Sequence, residues 1–163
     1  MKKILLLSDT HGCIDDFIIK YAAQADEIWH AGDIGSHEVT DTLQKYAPLR
    51  AVYGNIDNAQ LRNEFPLHQR FECEALQVWM THIAGTPGKF PPNIREELRQ
   101  HPPGLFICGH SHILKVQFDH RHQCLFMNPG AVGRHGFHQV RTMLRFRVAE
   151  GKVSQLEVVQ KER

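Results

Sequence analysis

Short apolar runs alternate with stretches of helical periodicity through the first third of the chain. Lys3 to Ser8 (KILLLS) is a continuous apolar run of strand length, the pattern of a strand buried on both faces. Ile14, Phe17, Ile18, Tyr21 and Ala22 then recur at helix spacing, and Glu27 to Ala31 predicts a second strand. A second helix is expected over Glu38 to Tyr46, with Ser36 as N-cap and Val39, Leu43 and Tyr46 on one face. Pro48 stops it, and Leu49 to Tyr53 reads as a third strand. This β-α-β-α-β order predicts a parallel sheet joined by right-handed crossovers.

From about residue 67 the texture changes. Strands are predicted at His68 to Cys73, Leu76 to Met80, Leu105 to Cys108, Lys115 to Asp119, Cys124 to Met127, Met143 to Val148 and Val153 to Val159. Connections as short as Glu74-Ala75 and Glu150-Gly151 predict hairpins. The Pro- and Gly-rich stretch Gly85 to Pro92 cannot be regular structure and leads into a helix over Ile94 to Arg99. The mixture predicts an α/β architecture in one domain, 1–163, with a parallel sheet continued or faced by a more antiparallel one and helices outside. There is no internal repeat and no low-complexity segment.

Composition narrows the classes. At 163 residues with 42% hydrophobic content, a core forms without disulfides. Nineteen basic against eighteen acidic residues leave a net +1, so there is no strong nucleic-acid signal and no call for an anionic membrane. Cys13, Cys73, Cys108 and Cys124 form no CxxC pair, which argues against a zinc ribbon and favours a reducing, cytoplasmic setting. The apolar run after Lys2-Lys3 ends at Ser8-Asp9, too short for a signal peptide, and no run nears the ~18 apolar residues of a membrane span. The unusual number is twelve histidines, which raises the question of metal.

Polar residues gather where the predicted strands end: Asp9 and His11 after the first, Gly32-Asp33 after the second, Gly54-Asn55-Ile56-Asp57 after the third. His82 and Gly109-His110-Ser111-His112 follow two later strands. Parallel strands bring ligands to their carboxyl edge, so five separated segments can deliver these side chains to one place. Imidazoles, carboxylates and one amide oxygen make a mixed N/O set suited to manganese, iron, zinc or nickel rather than calcium. Asp9, His11, Asp33, Asn55, His82, His110 and His112 are too many ligands for one ion and predict two, sharing a bridging carboxylate. Two such ions would outweigh the two aspartates, lower the pKa of a bridging water and attract an anionic ester. Gly32, Gly54 and Gly109 each precede a ligand, where a glycine permits the sharp turn or positive φ that would swing the next side chain toward the cluster.

Taken together, Asp9-x-His11, Gly32-Asp33, Gly54-Asn55-x-Asp57, His82 and Gly109-His110-x-His112 resemble the five-block signature of the calcineurin-like metallophosphoesterase superfamily, in family order. The short length and the Asn128-Pro129-Gly130 turn are similar to its small YfcE-type phosphodiesterase subgroup. The resemblance implies a four-layer α/β/β/α sandwich of two mixed sheets and a hydrolase with two divalent ions per chain, manganese first, with nickel, iron or zinc as alternatives. It implies one ion on Asp9, His11, Asp33 and His112, and a second on Asp33, Asn55, His82 and His110. Asp33 would bridge; Asp33, Asn55, His82 and His110 are cast as catalytic. A bridging hydroxide would attack phosphorus in line with the leaving oxygen. Asp57 is expected to organise the Asn55 turn or a neighbouring histidine from behind. The substrate would be a small phosphate ester, a diester before a monoester; a homo-oligomer is compatible with the sequence.

Ile56 departs from the pattern, since many catalytic members carry a histidine there that aids phosphate binding or protonates the leaving group. Without it, rate is expected to depend steeply on leaving-group pKa, by roughly 10² to 10⁴-fold for poor leaving groups. Simpler readings compete elsewhere. Asp9 or Thr10 could cap the first helix. His110 and His112 alternate at strand spacing, which would send both side chains to one face. Arg134 and the glycines of Gly130 to Gly136 form either an anion-binding loop or a connector. His120 and His122 suit a solvated hairpin tip, His30 a satisfied core histidine and Cys108 packing. From Arg141 on, six basic residues against three acidic ones read as a charged outer strand face. A non-catalytic docking module like the retromer scaffold subunit is the rival use of such a frame.

Overall fold

The computed structural model describes residues 1–163. The elements run β1 (Lys2–Leu7), α1 (Asp16–Ala22), β2 (Glu27–His30), α2 (His37–Gln44), β3 (Leu49–Ala51), α3 (Ala59–Glu64) and β4 (His68–Cys73). They continue with β5 (Leu76–Thr81), α4 (Pro92–Gln100), β6 (Leu105–Ile107), β7 (Leu114–Asp119), β8 (Cys124–Pro129), β9 (Val140–Ala149) and β10 (Lys152–Glu162). Two five-stranded mixed sheets result, ordered β10-β9-β1-β2-β3 and β4-β5-β6-β8-β7. β1, β2 and β3 are parallel, and β9 and β10 extend their sheet antiparallel. In the second sheet β5, β6 and β8 are parallel, with β4 and β7 as antiparallel edges.

Alternate residues of β1 explain the layers. Ile4 and Leu6 join Trp29, Met80, Ile107 and Phe146 in a core between the two sheets, while Leu5 and Leu7 face Ile18, Val39, Leu43 and Leu61 from the first three helices. A third cluster joins α4, through Ile94 and Leu98, to the outer face of the second sheet at Trp79, Phe106 and Phe126. This is the expected α/β/β/α sandwich. Each fully buried Leu, Ile or Phe contributes about 1.5–3 kcal/mol, and Ile4 to Leu7 show no polar side because neither face meets solvent.

Local chemistry sets the ends. Asp15 accepts from Ile18 N at 3.3 Å, so the cap of α1 is neither Asp9 nor Thr10. Ser36 stands at the N-cap of α2 but makes no capping hydrogen bond, and Tyr46 lies past the helix end, exposed rather than on its buried face. α3, which the sequence pattern did not predict, is capped by Asn58 Oδ1 accepting from Leu61 N at 3.0 Å. Both short hairpins form, with Glu74, Ala75, Glu150 and Gly151 at positive φ. Arg141 corrects the charged-face reading of the C-terminal strands. Its side chain is buried, pairs with Asp15 at 2.9 Å and donates to Val132 O at 2.7 Å.

Candidate metal centre

The loops after β1, β2, β3, β5 and β6 meet at one edge of the sandwich, zipped together by backbone hydrogen bonds that continue past the strands. Asp9 N donates to Gly32 O at 2.9 Å, His11 N to Asp33 O at 3.0 Å and Gly109 N to His82 O at 3.0 Å. Six of the seven expected ligand residues converge there in two groups, Asp9 with His11 and His112, and Asp33 with His82 and His110. Within each group the ligand atoms lie within 4.8 Å of one another. Asp33 Oδ2 sits between the groups, 3.4 Å from His11 Nε2 and 3.2 Å from His82 Nε2. Asn55 is exposed on the adjoining turn, where Ile56 N donates to Asp33 Oδ1 at 3.1 Å.

Five of these residues, Asp9, His11, Asp33, His110 and His112, have φ between 45° and 71°, half of all the non-glycine residues at positive φ. Such backbone costs on the order of 1 kcal/mol per residue and persists where surrounding structure imposes it. It also revises one expectation and divides another. His110 and His112 are not in strand geometry, and they enter different groups rather than sharing a face. Of the three preceding glycines only Gly32 has positive φ; Gly54 and Gly109 serve by lacking a side chain. A Cβ on Gly54 would lie 2.1 Å from Asp33 Oδ1, and one on Gly109 would lie 2.2 Å from Ser8 Oγ.

Behind the ligands, the polar groups are paired. Asp57 accepts from Gly54 N at 2.8 Å, Gly35 N at 2.8 Å and Ile34 N at 3.1 Å, tying the β2 loop to the β3 loop. Ser8 Oγ donates to Asp9 Oδ2 at 2.6 Å, and His110 N reaches the same oxygen at 3.1 Å. His82 Nδ1 lies 2.7 Å from Ala31 O and must donate to it, which leaves Nε2 as the lone-pair atom facing the site. His30 is fully buried between Thr10 Oγ1 and Gly32 N, and burial pushes it down to about 4, so it holds the loop as a neutral ring. Asn128 bonds Gly109 O, Ser111 Oγ and Gly130 N, bracing the His110–His112 loop.

The forward face is different. Asp9 Oδ1, His11 Nε2 and His82 Nε2 are buried and have no hydrogen-bond partner. Burial raises the Asp33 carboxyl, but the facing imidazoles of His11 and His82 outweigh it and hold the group far below the usual carboxylate range. Asp9 is lowered in the same way, burial being overcome by His112, His82 and Ser8. Asp33 in turn raises His11 and, against burial, His82. Orphaned lone pairs on N and O ligands, gathered around charged carboxylates, fit divalent cations, which satisfy them where nothing in the protein does.

Several neighbours carry no sequence signal of their own. The exposed His135 stacks on His11 with ring centroids 4.7 Å apart, and His138 meets His112 edge-on at 5.2 Å. Arg134 is exposed and pairs with Asp15 at 3.0 Å. His122 is bound at 2.7 Å by Asp119, which also accepts from Arg121 N, so this hairpin tip is a closed turn away from the ligands. Cys108 is buried, its thiol pushed up to about 12 by burial, and Phe90 packs in the core under α4.

Comparison with known proteins agrees with this geometry. A family model for the calcineurin-like phosphoesterase superfamily domain matches residues 1–151. A probable metallophosphoesterase of Methanothermobacter thermautotrophicus is 26% identical over 131 residues, covering 77% of this chain and 74% of its own. Among solved structures, an archaeal phosphodiesterase superposes with a TM-score of 0.68 at 20% identity, over 96% of this chain and 99% of its own. Vps29 of Entamoeba histolytica, complexed with zinc, superposes with a TM-score of 0.75 at 14% identity, over 98% of each chain.

Proposed function

This chain belongs to the calcineurin-like phosphoesterase superfamily, and from that premise we propose that it is a dinuclear metal-dependent phosphodiesterase acting in the cytoplasm as one 1–163 domain. The observation that carries the reading is the set of buried, unpartnered ligand atoms on Asp9, His11 and His82, opposed across Asp33. Asp9, His11, Asp33 and His112 would hold one ion, and Asp33, Asn55, His82 and His110 the other, manganese being the first choice for so mixed a set of N and O ligands. When bound, two divalent cations supply Lewis acidity toward a phosphoryl oxygen and a lowered pKa for water.

The protein's own contribution is placement. Asp33 keeps its charge at every physiological pH and is fixed by Ile56 N through its other oxygen. Asp57 and Arg62, which donates to Asn55 O at 3.0 Å, hold the turn that presents the Asn55 amide to substrate phosphate. Arg134 is the outer anion contact. It shares Asp15 with Arg141, so two guanidiniums face one carboxylate and positive charge is left over beside a cleft of about 460 Å³ that reaches His11. Diester preference rests on the similarity to the small phosphodiesterase subgroup and on Ile56, which can neither protonate a leaving oxygen nor meet the second negative charge of a monoester's phosphoryl group.

The test is hydrolysis of bis(p-nitrophenyl) phosphate by chelator-stripped protein titrated with manganese, nickel, zinc and magnesium. Turnover should return with metal and fall at least about 10³-fold in Asp33→Asn, with circular dichroism unchanged. A folded, metal-loaded protein that turns over no ester would sink the enzymatic reading and favour docking. Full activity in Asp33→Asn would remove the bridge.

A further inference from the structure

Twelve large apolar side chains are exposed on this protein, and six of them lie at the edge that carries the ligands. Three are the chain neighbours of ligands: Ile56 after Asn55, 46% exposed; Ile83 after His82, 51%; and Ile113 after His112, 66%. Phe137 is fully exposed on the loop whose Gly136 packs against the His112 ring. Leu67 sits beside the end of β5, where Thr81 Oγ1 donates to its carbonyl, and Val140 begins β9 beyond the end of β1.

Adjacent residues are 3.8 Å apart at Cα, so the backbone of each isoleucine lies beside that of a ligand, and its exposed side chain is available at the same edge. Ile56 is fixed there by its own N–H to Asp33, and Ile113 by its N–H to Ser111 Oγ at 3.2 Å. None of the three side chains is needed by the core, which is complete beneath them. Scattered exposed apolar residues carry no message, but four that each follow a ligand or adjoin a ligand loop at one charged edge do. A sugar or nucleotide arm would meet no hydrogen-bonding partner on these side chains; an aryl or alkyl arm would bury them.

We infer that Ile56, Ile83, Ile113 and Phe137 form the specificity rim of the site and select phosphate esters whose arm nearest the metals is aromatic or aliphatic. The inference rests on the phosphoesterase reading for its substrate class, but its test does not require turnover. Calorimetric titration of manganese-loaded protein with phenylphosphonate and methylphosphonate compares an apolar arm with a minimal one on the same anionic head. Phenylphosphonate should bind at least about tenfold more tightly. In Ile83→Ser/Ile113→Ser the ratio should fall to about twofold, while methylphosphonate affinity stays within about twofold of wild type, showing the ligands undisturbed.

Equal affinity for the two phosphonates or a ratio untouched by the double variant would overturn the rim, whereas no binding of either would overturn the metal-site reading beneath it. Sedimentation of the wild type as a dimer that the double variant dissociates would assign the apolar edge to a second copy and overturn it as well. Phenyl-selective binding without hydrolysis of any ester would leave the rim standing and remove the enzymatic reading instead.

Discussion

The two ends of β2 show how differently one sheet treats its charges. At the amino end, Glu27 is buried and every oxygen is used: Lys2 Nζ lies 2.7 Å away, Trp29 Nε1 donates at 2.9 Å and Arg50 Nε at 3.3 Å. At the carboxyl end, Asp33 faces the Nε2 atoms of His11 and His82, which lack hydrogen bonds, within backbone held at positive φ. The first end is closed and stabilises the fold. The second is left unsatisfied, with its strain carried by the core below, which is how a protein reserves a place for something it does not itself contain.

Metal should separate the two ends most strongly. Manganese at a thousandfold excess over its Kd should stabilise the protein by about 4 kcal/mol, read as a rise in thermal midpoint of about 10 °C. Asp33→Asn should lose most of that rise, and Glu27→Gln should keep it. A Glu27→Gln protein that no longer responds to manganese would erase the distinction between the ends.

Glu27→Gln should instead cost about 1–2 kcal/mol in urea unfolding, with the exposed stems of Lys2 and Arg50 limiting the effect. Burial opposes ionisation of Glu27, yet Lys2, Trp29 and Arg50 hold its pKa below the ordinary 4.5. A carboxylate lowered in the folded state contributes stability above that ordinary value and loses it as pH falls. The difference between wild type and Glu27→Gln should therefore be full at pH 7 and shrink below pH 4.5. A constant difference down to pH 3 would remove the charge from the explanation.

The smallest contrast concerns helix starts away from both ends. Asn58→Ala should cost about 1 kcal/mol because it frees Leu61 N, whereas Ser36→Ala should stay within about 0.5 kcal/mol because its hydroxyl caps nothing. Equal costs in chemical denaturation would contradict the capping geometry.

What the sequence made legible follows the same physics. β1 was readable because burial on two faces leaves an unbroken apolar run, and the ligands because each follows such a run. α3 was not, since Leu61 is its one buried residue and a single apolar position has no period. His110 and His112 misled because i, i+2 spacing implies a strand only where φ is negative. Arg141 misled because charge predicts exposure unless a partner is known, and Asp15 lies on a distant segment. His135 and His138 belong to no motif; their place beside His11 and His112 is set by the fold of the loop after β8.

The hydrogen bond from His110 N to Asp9 Oδ2 spans 101 positions of chain, and β1, central in its sheet, pairs with β9 near the other end of the sequence. High contact order of this kind means that loop closure precedes any reward from the site. The ligand cluster is thus expected to assemble late, after both sheets have met, so that a cation would meet it as a finished structure rather than as a nucleus. Metal should leave the folding limb of a chevron almost unmoved and act on the unfolding limb, making the ion a lock on the native state and no guide toward it.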